Sequence, residues 1–166
     1  EEIYRIPIGK ARIAKIGTDI TIVSHSYMTL VALQASEMLE KIGIHVEIVD
    51  LRSLRPLDSS TIIESVKKTK RLIVVDNGWT KYGVSSEIIS IVTENAFDSL
   101  ESKPVRIGIE DVPVPSTIAL SKYCYPNAKN IAYEILNIFD IDKNMLIDET
   151  DDVMPDVPNQ SFMGPF

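Results

Sequence analysis

The chain has 166 residues, of which 45% are hydrophobic and 25% are charged. This length predicts one globular domain with its own core and is too short for two domains of ordinary size. No apolar run approaches the ~20 residues that span a bilayer, and no amino-terminal segment resembles a signal peptide, so we expect no membrane association. Cys124 is the only cysteine, which excludes an internal disulfide and favours a reducing compartment.

The net charge of −7 is distributed unevenly along the chain. Seven of the 24 acidic residues but only one of the 17 basic residues lie at positions 140–166, which leaves 17 acids and 16 bases in residues 1–139. We therefore expect a nearly neutral domain over residues 1–139, followed by an acidic tail over residues 140–166 with too little apolar surface to order by itself. The domain has no basic surplus to neutralise phosphates, so nucleic acid is not an expected partner.

The first predicted elements are two short strands, over residues 11–16 and 20–24. The turn at residues 17–19 between them predicts a hairpin at the edge of the sheet, and hence one antiparallel strand. Residues 27–42 have an apolar stripe at helical spacing, and Gly43 follows as a left-handed cap.

The rest of the domain alternates strands and helices. A strand over residues 44–49 leads to a helix over residues 59–69, for which Asp58 is the expected cap and Thr61 and Glu64 have capping-box spacing. The remaining predicted elements are a strand at 71–76, a turn at 78–83, a helix at 84–95, a strand at 105–109 and a helix at 127–139. This alternation predicts an α/β fold, a three-layer α/β/α sandwich on a five-stranded, mostly parallel sheet with one antiparallel edge strand.

The segment with the strongest indication of function is Leu-Arg-Ser-Leu-Arg-Pro-Leu-Asp at residues 51–58, here called the arginine loop. It follows an apolar strand, and Pro56 prevents further strand pairing. Arg52 and Arg55 therefore lie at the carboxyl end of a buried strand, where open α/β sheets place ligand or partner contacts. The alternative is that both arginines pair with nearby carboxylates and carbonyls.

Four segments, the arginine loop and residues 7–12, 76–84 and 111–115, resemble in order the carboxyl-terminal half of the transketolase-like thiamine enzymes. The resemblance is strongest to the beta subunits of the decarboxylating component of pyruvate dehydrogenase and covers most of the predicted domain. It implies an intact enzyme that uses thiamine diphosphate and magnesium to decarboxylate pyruvate and pass a two-carbon unit to lipoamide. It also implies the bacterial cytoplasm or, in a eukaryote, the mitochondrial matrix.

The residues that such chemistry needs are missing from this sequence. It has no Gly-Asp-Gly motif for the magnesium of thiamine diphosphate, no P-loop and no Cys/His cluster with metal-ligand spacing. His25 stands between two serines at a plausible ligand-facing position, but a loop histidine bonded to its neighbours is the preferred interpretation. We therefore predict no catalytic, cofactor-binding or metal-binding residue, and no binding of thiamine diphosphate by this chain alone.

Four residues are predicted to bind partners instead: Arg52, Arg55, Trp79 and Glu101. A large aromatic residue on the turn at 78–83 suits a subunit interface, although the glycines of this turn also permit an anion nest. The resemblance implies that this end of the domain contacts the pyruvate dehydrogenase alpha subunit and a second beta subunit.

Glu101 matches an aspartate that, in the beta subunits this chain resembles, binds the peripheral subunit-binding domain of dihydrolipoyl acetyltransferase. The alternative is a solvated surface carboxylate. In those subunits the same surface includes the terminal carboxylate near the last helix, whereas this chain continues past Phe139 to Phe166. The acidic tail is a candidate to replace or mask that contact.

Two further hypotheses remain open from the sequence. The first is the beta subunit of another 2-oxo acid or acetoin dehydrogenase, with a transketolase or deoxyxylulose-phosphate synthase end as a variant of it. The Arg-Pro-Leu-Asp and Asp-Val-Pro-Val-Pro segments favour pyruvate over these. The second is a freestanding protein-interaction module, which is compatible with a chain that begins at Glu1 rather than Met.

Overall fold

The computed structural model describes residues 5–121 and 123–146. Its strands and main helices, in chain order, are β1 (Arg12–Lys15), β2 (Ile20–Ser24), α1 (Tyr27–Glu40), β3 (Val46–Asp50), α2 (Ser59–Thr69), β4 (Leu72–Trp79), α3 (Val84–Ala96), β5 (Val105–Ile109), α4 (Ile118–Ser121) and α5 (Ala128–Phe139). Single 3₁₀ turns follow α3 and α5, at Phe97–Ser99 and Lys143–Met145.

The five strands form one sheet in the order β1-β3-β2-β4-β5, in which only β1 runs antiparallel to its neighbour. Helices α1 and α5 cover one face, where Ile22 and Ile48 point into the larger core. Helices α2 and α3 cover the other face, where Val23 and Val49 point into the second core. The central strands are apolar on both faces because each face is covered by helices. The predicted three-layer sandwich with one antiparallel edge strand is confirmed.

The predicted hairpin between the first two strands is wrong, because β1 pairs with β3 instead of β2. Gly17 crosses the start of β3, and its Cα lies so close to the backbone of Val46 and Glu47 that no Cβ fits there. The N–H groups of the next two residues both donate to the His45 carbonyl at 3.0 Å. The chain thus passes over β3 before β2 begins on the far side, where all five β2 residues are buried.

The helix caps follow local chemistry. Gly43 has φ +82° and forms a Schellman end to α1, since its N–H donates to the Glu40 carbonyl and the next N–H donates to Leu39. Asp58 caps α2 by accepting the Thr61 N–H, as predicted. The capping box predicted from Thr61 and Glu64 is wrong, because the helix begins earlier, at Ser59.

Strand β4 is longer than the 71–76 prediction, since it extends to Trp79, which pairs with Ile109 of β5. The turn was predicted to begin at Gly78, but it begins two residues later, after the end of β4 at Trp79. At the other end of the chain, Ile141 and Leu146 pack against the larger core. The remainder of the predicted acidic tail, residues 147–166, lies outside the described residues.

Candidate functional site

The carboxyl ends of β2, β3 and β4 meet at one edge of the sheet, here called the carboxyl edge. The connection from β2 leads to α1 on one face, while the connection from β4 leads to α3 on the other. Adjacent strands whose connections diverge in this way form the crevice in which doubly wound folds place ligands. His25 and Asp76 face each other across it, with Nε2 and Oδ1 separated by 3.2 Å.

The Asp76 carboxylate is hydrogen-bonded to other residues of this domain. The hydrogen bond from His25 lowers the pKa of Asp76, whereas burial of the carboxylate acts in the opposite direction. The Gly78 N–H donates to Oδ1 at 2.9 Å and lowers the pKa further. The Gly78 N–H, which the sequence permitted to be part of an anion nest, therefore already binds an anion of the same chain. His25 acts as a bonded loop histidine, in line with the preferred interpretation.

The His25–Asp76 pair makes a testable contribution to stability. Because the pKa of folded Asp76 is below its usual value, its contribution is present at neutral pH and is lost as the pH falls through the folded pKa. We expect His25→Ala to lower the free energy of unfolding by on the order of 1 kcal/mol at pH 7. The exposed His45 is the control: His45→Ala should have a smaller effect in the same urea titrations. Equal losses for the two variants would contradict a structural role for the pair.

The arginine loop leaves β3 at the same edge. Arg52 adopts φ +55°, and its N–H donates to Asp50 Oδ1 at 3.3 Å. In the part of the chain that the structure describes, no carboxylate pairs with the guanidinium of Arg52 or Arg55. Of the alternative interpretation, in which both arginines pair with nearby carboxylates and carbonyls, the carboxylate part has no support in these contacts.

The arginine loop is fastened to the segment that precedes β1. The Gly9 N–H donates to Ser53 Oγ at 3.0 Å, and Ser53 Oγ donates to the Pro56 carbonyl at 2.9 Å. The Ala11 N–H donates to Asp58 Oδ2, also at 3.0 Å. Burial opposes the charge of Asp58, but its hydrogen bonds from Ser60, Ala11 and Thr61 outweigh this and lower its pKa to about 2. An ionised, buried Asp58 therefore holds the end of the loop.

The end of β4 and the loop after it present two aromatic side chains to solvent. Trp79 is 58% exposed and Tyr82 is 99% exposed, with Tyr82 at φ +57°. The guanidinium of Arg106 on β5 holds this loop by donating to the Thr80 carbonyl at 2.9 Å and to Ser86 Oγ at 2.8 Å. Tyr82 was missed in the sequence, where only its position between Lys81 and Gly83 gave a signal. An exposed aromatic pair on a fixed loop suits a protein interface.

Glu101 lies at the opposite end of the sheet from the other three predicted partner-binding residues. Its carboxylate accepts from Lys70 at 2.9 Å and from Arg71 at 2.8 Å. The hydrogen bond from Lys70 lowers the pKa of Glu101. Arg71 also stacks on the ring of Phe139 at 4.7 Å, so Glu101 is linked to the end of α5. The predicted residues thus form two separate surfaces.

The described residues do not fit the diphosphate and magnesium of a thiamine cofactor. Among them, no group of three His, Cys, Asp or Glu side chains could hold a metal ion. Of the two aspartates at the carboxyl edge, Asp76 bonds to His25 and Asp50 accepts from Thr29 and from the Arg52 N–H. No helix in the described part of the chain is long and apolar enough to cross a membrane.

The family model of the transketolase C-terminal domain matches residues 9–131. The chain belongs to the transketolase C-terminal domain family. Its sheet and the arginine loop both lie within the matched residues, so the carboxyl edge and the Glu101 surface are parts of this domain.

Relatives of this transketolase C-terminal domain include subunits of one enzyme. The "Pyruvate dehydrogenase E1 component subunit beta" of Rickettsia felis is 42% identical over 79% of this chain and 40% of its own length. The mitochondrial subunit beta of Pisum sativum is 45% identical over 77% of this chain and 36% of its own length. The chain therefore spans less than half the length of these relatives.

A solved structure with the same fold is a split-gene transketolase, described as an inactive beta4 tetramer. It is 28% identical and matches 83% of this chain and 45% of its own length, with a TM-score of 0.72. The resemblance found in the sequence is thus confirmed by family, by relatives and by fold.

Proposed function

We propose that this chain is the carboxyl-terminal domain of a pyruvate dehydrogenase E1 beta subunit and that it serves assembly instead of chemistry. The observation that carries the proposal is the carboxyl edge. It presents two aromatic side chains and two arginines that have no carboxylate partner among the described residues. Its His25 and Asp76 bond to each other, and Asp50 accepts from Thr29. The pyruvate dehydrogenase relatives favour pyruvate over another 2-oxo acid.

In the intact enzyme, thiamine diphosphate and magnesium would be bound outside this chain, and pyruvate would be decarboxylated there with acetyl transfer to lipoamide. This domain would contact the alpha subunit and a second beta subunit through Arg52, Arg55 and Trp79. The bacterial and mitochondrial relatives support a bacterial cytoplasm or a mitochondrial matrix as its location. The beta4 tetramer of the split-gene transketolase supports assembly between subunits.

The Trp79 contact is tested by replacing Trp79 at the end of β4 and, as a control, the exposed Phe97 that follows α3. The chain is produced with the pyruvate dehydrogenase alpha subunit of its source organism, and the dissociation constant of the complex is measured. We expect Trp79→Ala to weaken the complex about 30-fold, as for a typical hot spot. Phe97→Ala removes a 65% exposed aromatic at the far end of the helix and should leave the complex unchanged. Equal binding by all three chains would contradict the proposal.

Glu101 would serve the second surface, towards the peripheral subunit-binding domain of dihydrolipoyl acetyltransferase. Because Lys70 and Arg71 already bind its carboxylate, the surface offers an ion-paired cluster instead of a free acidic group. We expect Glu101→Gln to weaken binding of that domain about tenfold in calorimetric titrations. Glu94→Gln changes an exposed glutamate on α3 and is the matched control. Unchanged affinity in Glu101→Gln would remove this residue from the interface.

A further inference from the structure

The arginine loop holds two cationic side chains, Arg52 and Arg55, at the carboxyl edge. Six cationic side chains elsewhere pair with carboxylates among the described residues: Lys10 with Asp58, Lys15 with Glu40, Lys68 with Glu47, Lys70 and Arg71 with Glu101, and Lys81 with Asp111. Neither guanidinium of the arginine loop has such a partner among the described residues. In a domain with 17 acids and 16 bases over residues 1–139, two arginines of one loop that have no carboxylate partner among the described residues make a local positive site.

The backbone that carries these arginines is fixed before any partner arrives. Arg52 is held in a left-handed conformation by its N–H bond to Asp50. Ser53 joins the middle of the loop to Gly9 and to the Pro56 carbonyl, and Asp58 joins its end to Ala11 and α2. A loop held in place in this way loses less conformational entropy on binding than a mobile one.

The chemistry of the surface favours a carboxylate over a phosphate. The amino terminus of α2, which could otherwise attract a phosphate, is already occupied by the ionised carboxylate of Asp58. A phosphate dianion next to this carboxylate would be repelled more strongly than a singly charged carboxylate. Leu54, between the two arginines, is 42% exposed, and the half-exposed Tyr27 lies at the same edge of the sheet. Apolar and cationic side chains side by side fit a peptide segment that carries both apolar and acidic residues.

We propose that Arg52 and Arg55 form a carboxylate-binding pair that receives an acidic segment of a partner subunit, with Leu54 as the apolar contact between them. This inference rests on the proposed function, since it names the chemistry by which the carboxyl edge recognises its neighbour. Arginine binds carboxylates in a planar, two-bonded geometry that lysine does not reproduce. The partner surface therefore presents aspartate or glutamate side chains opposite the arginine loop.

The test uses the complex of this chain with its alpha subunit and compares Arg52→Gln, Arg55→Gln and the double variant. Lys67→Gln, an exposed cation on α2 away from the loop, is the matched control. Dissociation constants are measured at about 50 and about 500 mM sodium chloride. We expect each single variant to weaken binding about tenfold at low salt, and the double variant to lose most of the salt dependence. Lys67→Gln should bind as the wild type does.

Three results would overturn the inference. If the double variant keeps the wild-type affinity and salt dependence while Trp79→Ala weakens the complex, the carboxylate pair is excluded and the proposed function stands. If inorganic phosphate displaces the alpha subunit more strongly than chloride at equal ionic strength, the arginines form a phosphate site. If the wild-type chain forms no complex, both proposals fail. Thermal unfolding is the folding control, and midpoints within about 2 °C of wild type are expected because neither arginine has a carboxylate partner to lose.

Discussion

Gly17→Ala is expected to destabilise the domain by about 3 kcal/mol or more, the largest effect of any single substitution considered for this chain. An added Cβ would overlap the backbone of Val46 and Glu47, and neither backbone can move aside without disturbing β3. Because β3 lies between β1 and β2, any shift would weaken the pairing on both of its sides. Urea unfolding followed by circular dichroism measures the loss directly.

Gly43→Ala is the matched control for this prediction. Gly43 has φ +82°, so alanine is strained there, but no atom lies within 4 Å of the position that its Cβ would occupy. We expect a loss of about 1 kcal/mol, the cost of a left-handed alanine without a clash. If Gly17→Ala cost no more than Gly43→Ala, the close crossing of β3 by Gly17 would be wrong.

Asp58→Ala is expected to cost about 3 kcal/mol at neutral pH. The substitution removes the cap of α2, for which about 1 kcal/mol is typical, and it leaves the Ala11 N–H without its acceptor. The same change removes one of two side-chain hydrogen bonds that join the segment before β1 to the arginine loop, and leaves only the bond from the Gly9 N–H to Ser53. Hydrogen exchange at Ala11 and Thr61 should therefore accelerate together.

The Asp58 contribution also has a defined pH dependence. The pKa of folded Asp58 is about 2, below the usual value of 3.8, so its charge stabilises the fold above pH ~4. About 2 kcal/mol of that stability should disappear as the pH falls from ~4 to ~2, and the difference between wild type and Asp58→Ala should narrow over the same range. Asp142→Ala removes an exposed aspartate that caps only a 3₁₀ turn, and should cost less than 1 kcal/mol. A difference in stability between wild type and Asp58→Ala that is as large at pH 2 as at neutral pH would contradict the ionised cap.

Periodicity and capping chemistry were sufficient to predict most of the fold. Residues 59–69 and 105–109 form the predicted helix and strand without a change of boundary, because their ends carry clear signals such as Asp58. The pairing of β1 was not predictable in this way. The turn residues at 17–19 are common in hairpins. That the chain crosses β3 at this point depends on the position of β3, which follows about 30 residues later.

The candidate site was predictable in part. The position of Arg52 after a buried strand was visible in the sequence, since it depends on local order alone. The pairing of His25 with Asp76 depends on the adjacency of β2 and β4, which are 51 residues apart at that contact. The two cations on Glu101 likewise come from the start of β4, across the fold. Contacts between distant segments have no signal in a single sequence.

The proposed function requires the carboxyl edge to be a surface for a neighbouring subunit. Hydrogen exchange of this chain, alone and with the alpha subunit of pyruvate dehydrogenase, tests that claim most directly. We predict slower exchange on complex formation in residues 51–58 and 79–83, with little change in β1 or at the exposed Phe97. Protection confined to the opposite end of the sheet, or no protection anywhere, would contradict the account.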